Sequence, residues 1–240
     1  MWIRRIYNKL PSRMQLFIHL LIVRIDTNRI LLFMFGYIRH KSTVRRLNRS
    51  SESILLRLGE SEKSSGWVCT NYETLAANFL DARRPYKTIL GVKYIVADNV
   101  IEHLNLRDGY LMLENAFSAL LPGGKIRLAT PDLRNIAEAY LKENQASIEQ
   151  FKENFGPHGI RINSFADLFH ATFHYFGHEH GYIYDFAALE EVLDAIGFVE
   201  IKQYLSGESD VPELRNIEKR MKSSDMWGQL CVEARKPYTK

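Results

Sequence analysis

Cysteine is almost missing from this chain. Only Cys69 and Cys231 occur among 240 residues, and both sit in apolar stretches that read as strands. That excludes a disulfide framework and fits a reduced, cytosolic setting. Long apolar runs are missing as well. Residues 14–23 are interrupted by Gln15 and His19 and closed by Arg24, and residues 30–38 are shorter still. A bilayer span takes about 20 apolar residues in succession, so neither run crosses one. A cleavable leader wants small residues behind its apolar core, and Val23-Arg24-Ile25-Asp26 is the wrong chemistry for that. Acid is scarce in the first fifty residues. Asp26 stands alone against eleven arginines and lysines, a net +10, so the rest of a chain of net +4 carries −6. The basic character therefore belongs to an N-terminal arm. The main domain lacks the clustered cations of a nucleic-acid binder, and no nucleic-acid partner is expected. Repeats, low-complexity tracts and an H-E-x-x-H signature are also absent.

What remains is a chain with 46% apolar residues, enough for a large core. Its length suits one α/β domain with an addition. The polar break at residues 50–53 divides an arm, 1–50, from a domain, 51–240. Strands are expected at 54–58 (ILLRL), 67–70, 93–97 (KYIVA), 125–129 (KIRLA), 198–204 and 229–234. Helices are expected at 110–120, stopped by Pro122-Gly123-Gly124, at 133–141, and at 186–196, ended by Gly197. Alternating strands and helices imply a mostly parallel sheet covered on both faces. Ligands of such sheets bind at the carboxyl ends of the strands, near the reversal of strand order. That directs attention to 59–61, 71–73, Asp81 and 98–103. The arm, with aromatic and aliphatic residues among many arginines, suits the surface of an anionic membrane. The alternative is that it packs on the domain or on a second subunit.

Several segments occur in the order found in a known family: ILLRLGES, GWVCTNYE, LDARRPY, VIEHL, LLPGGKIRLATPDL, GHEHGYIYDFAALEEVLDAIGF, LSGESDVPEL and LCVEARK, together spanning 54–236. On these residues the chain resembles the small class I S-adenosylmethionine-dependent methyltransferases (methyltransferase type 11-like) associated with bacterial surface-sugar and glycolipid biosynthesis. The resemblance implies a doubly wound, seven-stranded, mostly parallel Rossmann-like methyltransferase sheet, here preceded by a basic helical arm. Its last strand, 230–234, would run antiparallel beside 198–204. It implies S-adenosylmethionine as cofactor and a hydroxyl of a sugar or lipid-linked saccharide as acceptor. Independently of the resemblance, the two cysteines suit a cytoplasmic location, and the arm would lie at the inner face of the membrane.

The resemblance assigns the cofactor side to Gly59, Ser61, Asn71, Asp81 and Asp98. Glycine lets a backbone approach a ligand without a Cβ clash, yet the family's G-x-G reads Gly59-Glu60-Ser61 here. The family's ribose-binding acid is replaced by Asn71, with Glu73 two residues on as a substitute. Losing the charge costs about tenfold in affinity, from the difference between charged and neutral hydrogen bonds. Asp81 would accept from the adenine amino group. On the acceptor side, Glu102 and His103 follow strand 93–97, and a histidine suits proton transfer from a hydroxyl. His178, with Asp185, matches the family's acceptor-side positions. His170, His174 and His178 are four apart and share a face if their helix runs on to Gly177. No metal ligand is assigned. Gly207-Glu208-Ser209 reads as a loop without assigned chemistry. Two other readings stay open: a catalytically silent binding or scaffold module, favoured by the lost glycine and acid, and a metal enzyme built on the histidine row.

Overall fold

The computed structural model describes residues 29–49, 53–60, 62–71, 78–86, 89, 91–218 and 229–238, with side chains from residue 35 onward. Expectations resting on residues 1–28, Ser61 and Glu73 lie outside the described residues.

In chain order the elements are α1 (Arg29–Leu47), β1 (Ile54–Leu58), β2 (Val68–Asn71), β3 (Asn78–Phe79), β4 (Val92–Asp98), a 3-10 turn (Ile101–His103), α2 (Leu106–Ala119), β5 (Leu120–Pro131), α3 (Leu133–Leu141), α4 (Gln145–Phe155), α5 (Ala166–His174), α6 (Phe186–Ile196), β6 (Val199–Tyr204) and β7 (Gln229–Arg235). The strands form one sheet in the order β3-β2-β1-β4-β5-β7-β6. Strands β1 to β5 are parallel to one another, and β7 runs antiparallel to both β5 and β6. This is the expected doubly wound, seven-stranded, mostly parallel arrangement. The order reverses between β1 and β4, so the ligand crevice lies above their carboxyl ends.

Buried runs explain the central strands. Leu56, Leu58, Ile95, Ala97, Ile126 and Leu128 are almost fully excluded from solvent, as a sheet packed on both faces demands. Helix α2 begins four residues before the expected start because the Asn105 side chain accepts from the Asp108 amide at 3.0 Å. The Pro122-Gly123-Gly124 segment does not simply separate helix from strand. It forms a bulge within β5, where Val92 pairs with Leu120 but Tyr94 with Lys125.

Two features extend this frame, the first not anticipated and the second in line with the alternative stated for the arm. The first is a second, smaller core made by Ile136, Ala139, Ile148, Phe151, Leu168 and Ala171. It joins α3, α4 and α5 into a helical cap on the domain. The second concerns the arm. Val44 and Leu47 of α1 belong to the main core, and Gly36 leaves room for the Phe79 ring. The boundary expected at residue 50 thus falls between two segments that pack together. Among the described residues no helix is long and apolar enough to cross a membrane.

The Gly207-Glu208-Ser209 loop also finds its role here. Arg127 of β5, fully buried, donates to Glu233 at 2.7 Å, to the Glu208 carbonyl at 2.8 Å, and to Glu218. Glu218 in turn accepts from the Gly207 amide at 3.0 Å. The loop is held to the sheet by an arginine between two buried carboxylates, an arrangement whose charges need one another.

Candidate functional site

The carboxyl edge carries two groups of residues, one on each side of the switch point. On the β1–β2–β3 side, Gly59 adopts φ +73, and a Cβ there would lie 2.4 Å from a Val100 methyl. The close approach that requires glycine is therefore to the chain's own Val100. Asn71 ends β2, is buried, and donates its amide to the Gly59 carbonyl at 3.3 Å. Asp98 ends β4 beside them.

Asp81 is buried and locked in place. Its Oδ1 accepts from the Arg83 amide at 3.1 Å and from Arg83 Nε at 2.8 Å, and its Oδ2 from Arg83 Nη2 at 3.0 Å and Arg84 Nε at 3.2 Å. A carboxylate has about four lone-pair positions, and four donors already use them. Burial alone would raise its pKa, but the two arginines hold it below the usual carboxylate range. Its backbone amide points to His40 Nδ1 at 3.3 Å, and the other nitrogen of that ring lies 3.0 Å from the Pro85 carbonyl. Helix α1 is thereby clipped to the 81–85 loop. In this arrangement Asp81 organises the loop; a direct bond to an adenine amino group would have to displace an arginine.

On the other side, Glu102, His103 and His178 come together, although 75 residues separate the last two. Their nearest ligating atoms all lie within 4.8 Å of one another. The two imidazole rings are tilted, with centroids 4.8 Å apart. Glu102 is completely buried. Its carboxylate accepts from Asn99 Nδ2 at 2.7 Å and from Thr130 Oγ1 at 3.2 Å. Burial raises its pKa, opposed by His103 and by those two hydrogen bonds. Asn99 takes φ +53, a left-handed conformation that asparagine tolerates. Asn99 Oδ1 accepts from Gln229 at 3.4 Å, tying β7 into the same network.

His178 reaches this place through a helix end. Helix α5 stops at His174, not near Gly177, because Tyr175 turns to extended backbone. The row of three histidines is thus corrected: His170 and His174 stay paired on α5 with rings 4.7 Å apart, and His178 leaves the row. Its Nδ1 sits 2.6 Å from the Thr172 carbonyl, one of the carbonyls left without a helical partner at a C-terminus. A carbonyl only accepts, so Nδ1 carries the proton and the lone pair of the neutral ring is on Nε2. Asp185, expected beside the acceptor, instead caps α6 by accepting from the Ala188 amide at 2.8 Å.

Both imidazoles, together with Asn99, line a cavity of about 520 Å³ between the sheet edge and the helical cap. Glu102 lies behind them. The far wall is aromatic: Phe151 and Phe155 stack at 5.0 Å, and Phe176 meets Phe155 at 5.4 Å and His158 at 5.1 Å. Among the described lining residues none is Asp, Glu, Lys or Arg. Thr130, Thr172, Gln229 and the cap phenylalanines were missed in the sequence. A signal existed for α4: Ile148, Phe151 and Phe155 recur at helical spacing behind the capping Asn144.

No family model matches the chain, and no curated protein matches it in sequence. Among solved structures it is similar to the apo form of the S-adenosylmethionine-dependent methyltransferase SibL, at 12% identity over 82% of this chain and 55% of that one, with a TM-score of 0.45. It is similar to an S-adenosylmethionine-dependent methyltransferase from Thermotoga maritima at 12% identity over 86% and 91%, TM-score 0.41. A third is Haemonchus contortus phosphoethanolamine N-methyltransferase 2 in complex with S-adenosyl-L-methionine, at 13% identity over 84% and 53%, TM-score 0.40. The chain spans about half the length of the first and third of these. At such identities the likeness concerns overall shape.

Glu102 generates a pH prediction. A carboxyl group whose folded pKa is raised gives stability that is complete below its ordinary range and is lost as pH rises through the folded value. Glu102→Gln removes the charge and keeps the shape. Thermal melts from pH 4 to 7 should show the variant gaining on the wild type as pH rises, with the higher Tm at neutrality. A constant or shrinking gap would mean that Glu102 is not held against ionisation by burial.

Proposed function

We propose that the chain is an S-adenosylmethionine-dependent methyltransferase that O-methylates an uncharged hydroxyl acceptor, a sugar or lipid-linked saccharide, held in the aromatic cavity. The observation that carries this reading is the convergence of His103 and His178 on the wall of a cavity that Asn99 after β4 and Pro131 at the end of β5 also line. The lining supports an uncharged acceptor. A phosphate would want arginines there and an amine would want carboxylates. Stacked phenylalanines suit the apolar face of a sugar ring, while Asn99, Gln229 and the imidazoles suit its hydroxyls.

Bound S-adenosylmethionine would supply a methyl group on a sulfonium, already poised to leave. The chain's own residues then have two tasks. The cavity positions the acceptor oxygen, since alignment accounts for much of the barrier in such displacements. His178, its Nδ1 proton committed to Thr172, takes the hydroxyl proton on Nε2, with His103 beside it and Glu102 behind. Gly59, Asn71 and Asp98 are proposed to face the cofactor, and Asp81 to act through the loop it organises. Ser61 keeps its proposed place in the same loop.

Calorimetric titration of S-adenosylmethionine into the full chain tests this reading. Micromolar binding is expected, weakened about five- to tenfold in Asn71→Ala, the worth of one neutral hydrogen bond. Absence of binding at millimolar cofactor, with the protein folded by circular dichroism, would favour the second reading: a silent module. The saturation of Asp81 by Arg83 and Arg84 is the observation that favours it.

The outer face of α1 supports a lipid-linked acceptor. Phe35, Tyr37 and Ile38 are exposed there, as are Lys41, Arg45 and Arg46, while His40, Thr43, Val44 and Leu47 face the domain. Apolar and cationic groups together fit an anionic lipid surface. Each cation near such a surface contributes about 1 kcal/mol. The pair Lys41→Glu and Arg45→Glu should therefore cut co-sedimentation with phosphatidylserine vesicles at least tenfold at low salt. Full-length protein that stays in the supernatant would end the membrane proposal.

A further inference from the structure

Glu102, His103 and His178 have a second property that proton transfer does not require. They make a set of two imidazoles and one carboxylate, drawn from two loops, with ligating atoms within 4.8 Å of one another. Ions such as zinc bind such atoms at about 2.0–2.2 Å, so the set closes on an ion by a contraction of roughly 1–2 Å, within reach of side-chain rotation.

Three further observations point the same way. Histidines that ligate metals nearly always give their other ring proton to a carbonyl or carboxylate, which fixes the tautomer. His178 does this with the Thr172 carbonyl at 2.6 Å. Ligating carboxylates are themselves held by hydrogen bonds, and Glu102 is held by Asn99 and Thr130. The loops that carry the ligands are pressed together. A Cβ on Gly181 would lie 1.7 Å from the Glu102 carbonyl oxygen, and one on Gly177 would lie 3.3 Å from His103 Nδ1. The three groups are thus set by the fold and not by chance encounters of surface side chains.

We infer that Glu102, His103 and His178 bind one divalent transition-metal ion at the wall of the aromatic cavity. Two imidazoles with one carboxylate select zinc, cobalt, nickel or ferrous iron over magnesium and calcium, which prefer all-oxygen shells. Three protein ligands beside an open cavity leave coordination positions for water or an acceptor oxygen, as in sites where the ion is exchangeable with chemistry and not purely structural. This set differs from the row His170, His174 and His178, in which only His178 is shared. The ion site stands on geometry alone and does not depend on methyl transfer. With an ion bound, the imidazoles are ligands, and the acceptor oxygen would be acidified by the ion instead.

The test uses the full chain purified without a histidine tag, stripped with a chelator and titrated with cobalt(II), read by calorimetry and by visible absorption of the bound ion. One equivalent is expected, with micromolar or tighter affinity. His103→Ala and His178→Ala should abolish the absorption band, while the double variant His170→Ala/His174→Ala should keep it. Thr130→Val, which removes only a group that orients Glu102, should weaken binding about tenfold, at the lower end for such partners. Circular dichroism confirms that each variant is folded, and Glu102→Gln serves if an alanine variant is not. No binding at millimolar cobalt by folded protein overturns the inference. So does binding that survives His103→Ala and His178→Ala, or that is lost in the His170/His174 double variant. Cofactor titrations run in parallel separate the two proposals: metal binding without S-adenosylmethionine binding contradicts only the proposed activity, and the reverse contradicts only the metal site.

Discussion

The site depends on two backbones meeting at Gly181. The loop after α5 crosses the turn after β4 so closely that any side chain at Gly181 would collide with the Glu102 carbonyl. That contact brings His178 to His103, and both to the wall of the cavity. Glu102 is then sealed from water and must rely on Asn99 and Thr130 for its hydrogen bonds. Burying a carboxylate in this way is costly unless it is bonded or neutral, so the network around it constrains the whole acceptor side.

The two halves of the crevice differ in character. The acceptor side converges: His103 and His178 face one cavity, with Glu102 buried behind them and a cap of three helices over the cavity. The side toward β1, β2 and β3 is turned inward. Val100 packs against Gly59, Asn71 bonds to the Gly59 carbonyl, and Asp81 is occupied by two arginines. Helix α1 reinforces this through His40, which holds the loop from Asp81 to Pro85. The basic arm is therefore coupled to the part of the molecule assigned to the cofactor, and its outer, apolar and cationic face is on the opposite side of the same helix.

Much of the fold was legible because its signals are local. The runs ILLRL and KYIVA are buried strands, and 133–141 and 186–196 are helices with the expected bounds. Glu102 and His103 drew attention by their position after a strand, and they follow β4 in the structure. What was hidden depends on tertiary contact or on chain termini. Nothing near Tyr175 announces that α5 stops at His174; the turn is fixed by His178 capping Thr172, a contact that exists only once the loop is folded. Asp81 looked like a ligand-binding acid because its sequence context is right, but Arg83 and Arg84, two and three residues on, take its oxygens. Asp185 looked functional and is a helix cap. The GES loop carried no assigned chemistry, and it is an anchor for buried Arg127. In each case the residue type was read correctly, and the competing local partner decided its use.

The most direct measurement compares methyl transfer by the wild type and Gly181→Ala. Both would be given radiolabelled S-adenosylmethionine and a neutral lipid-linked saccharide, with cofactor affinity measured alongside. The account predicts label in the glycolipid with the wild type. It predicts transfer reduced about 100-fold in the variant, the scale of a 1 Å misplacement, with cofactor affinity unchanged. Equal transfer by the two proteins would contradict it, because the contact at Gly181 would then not build the site.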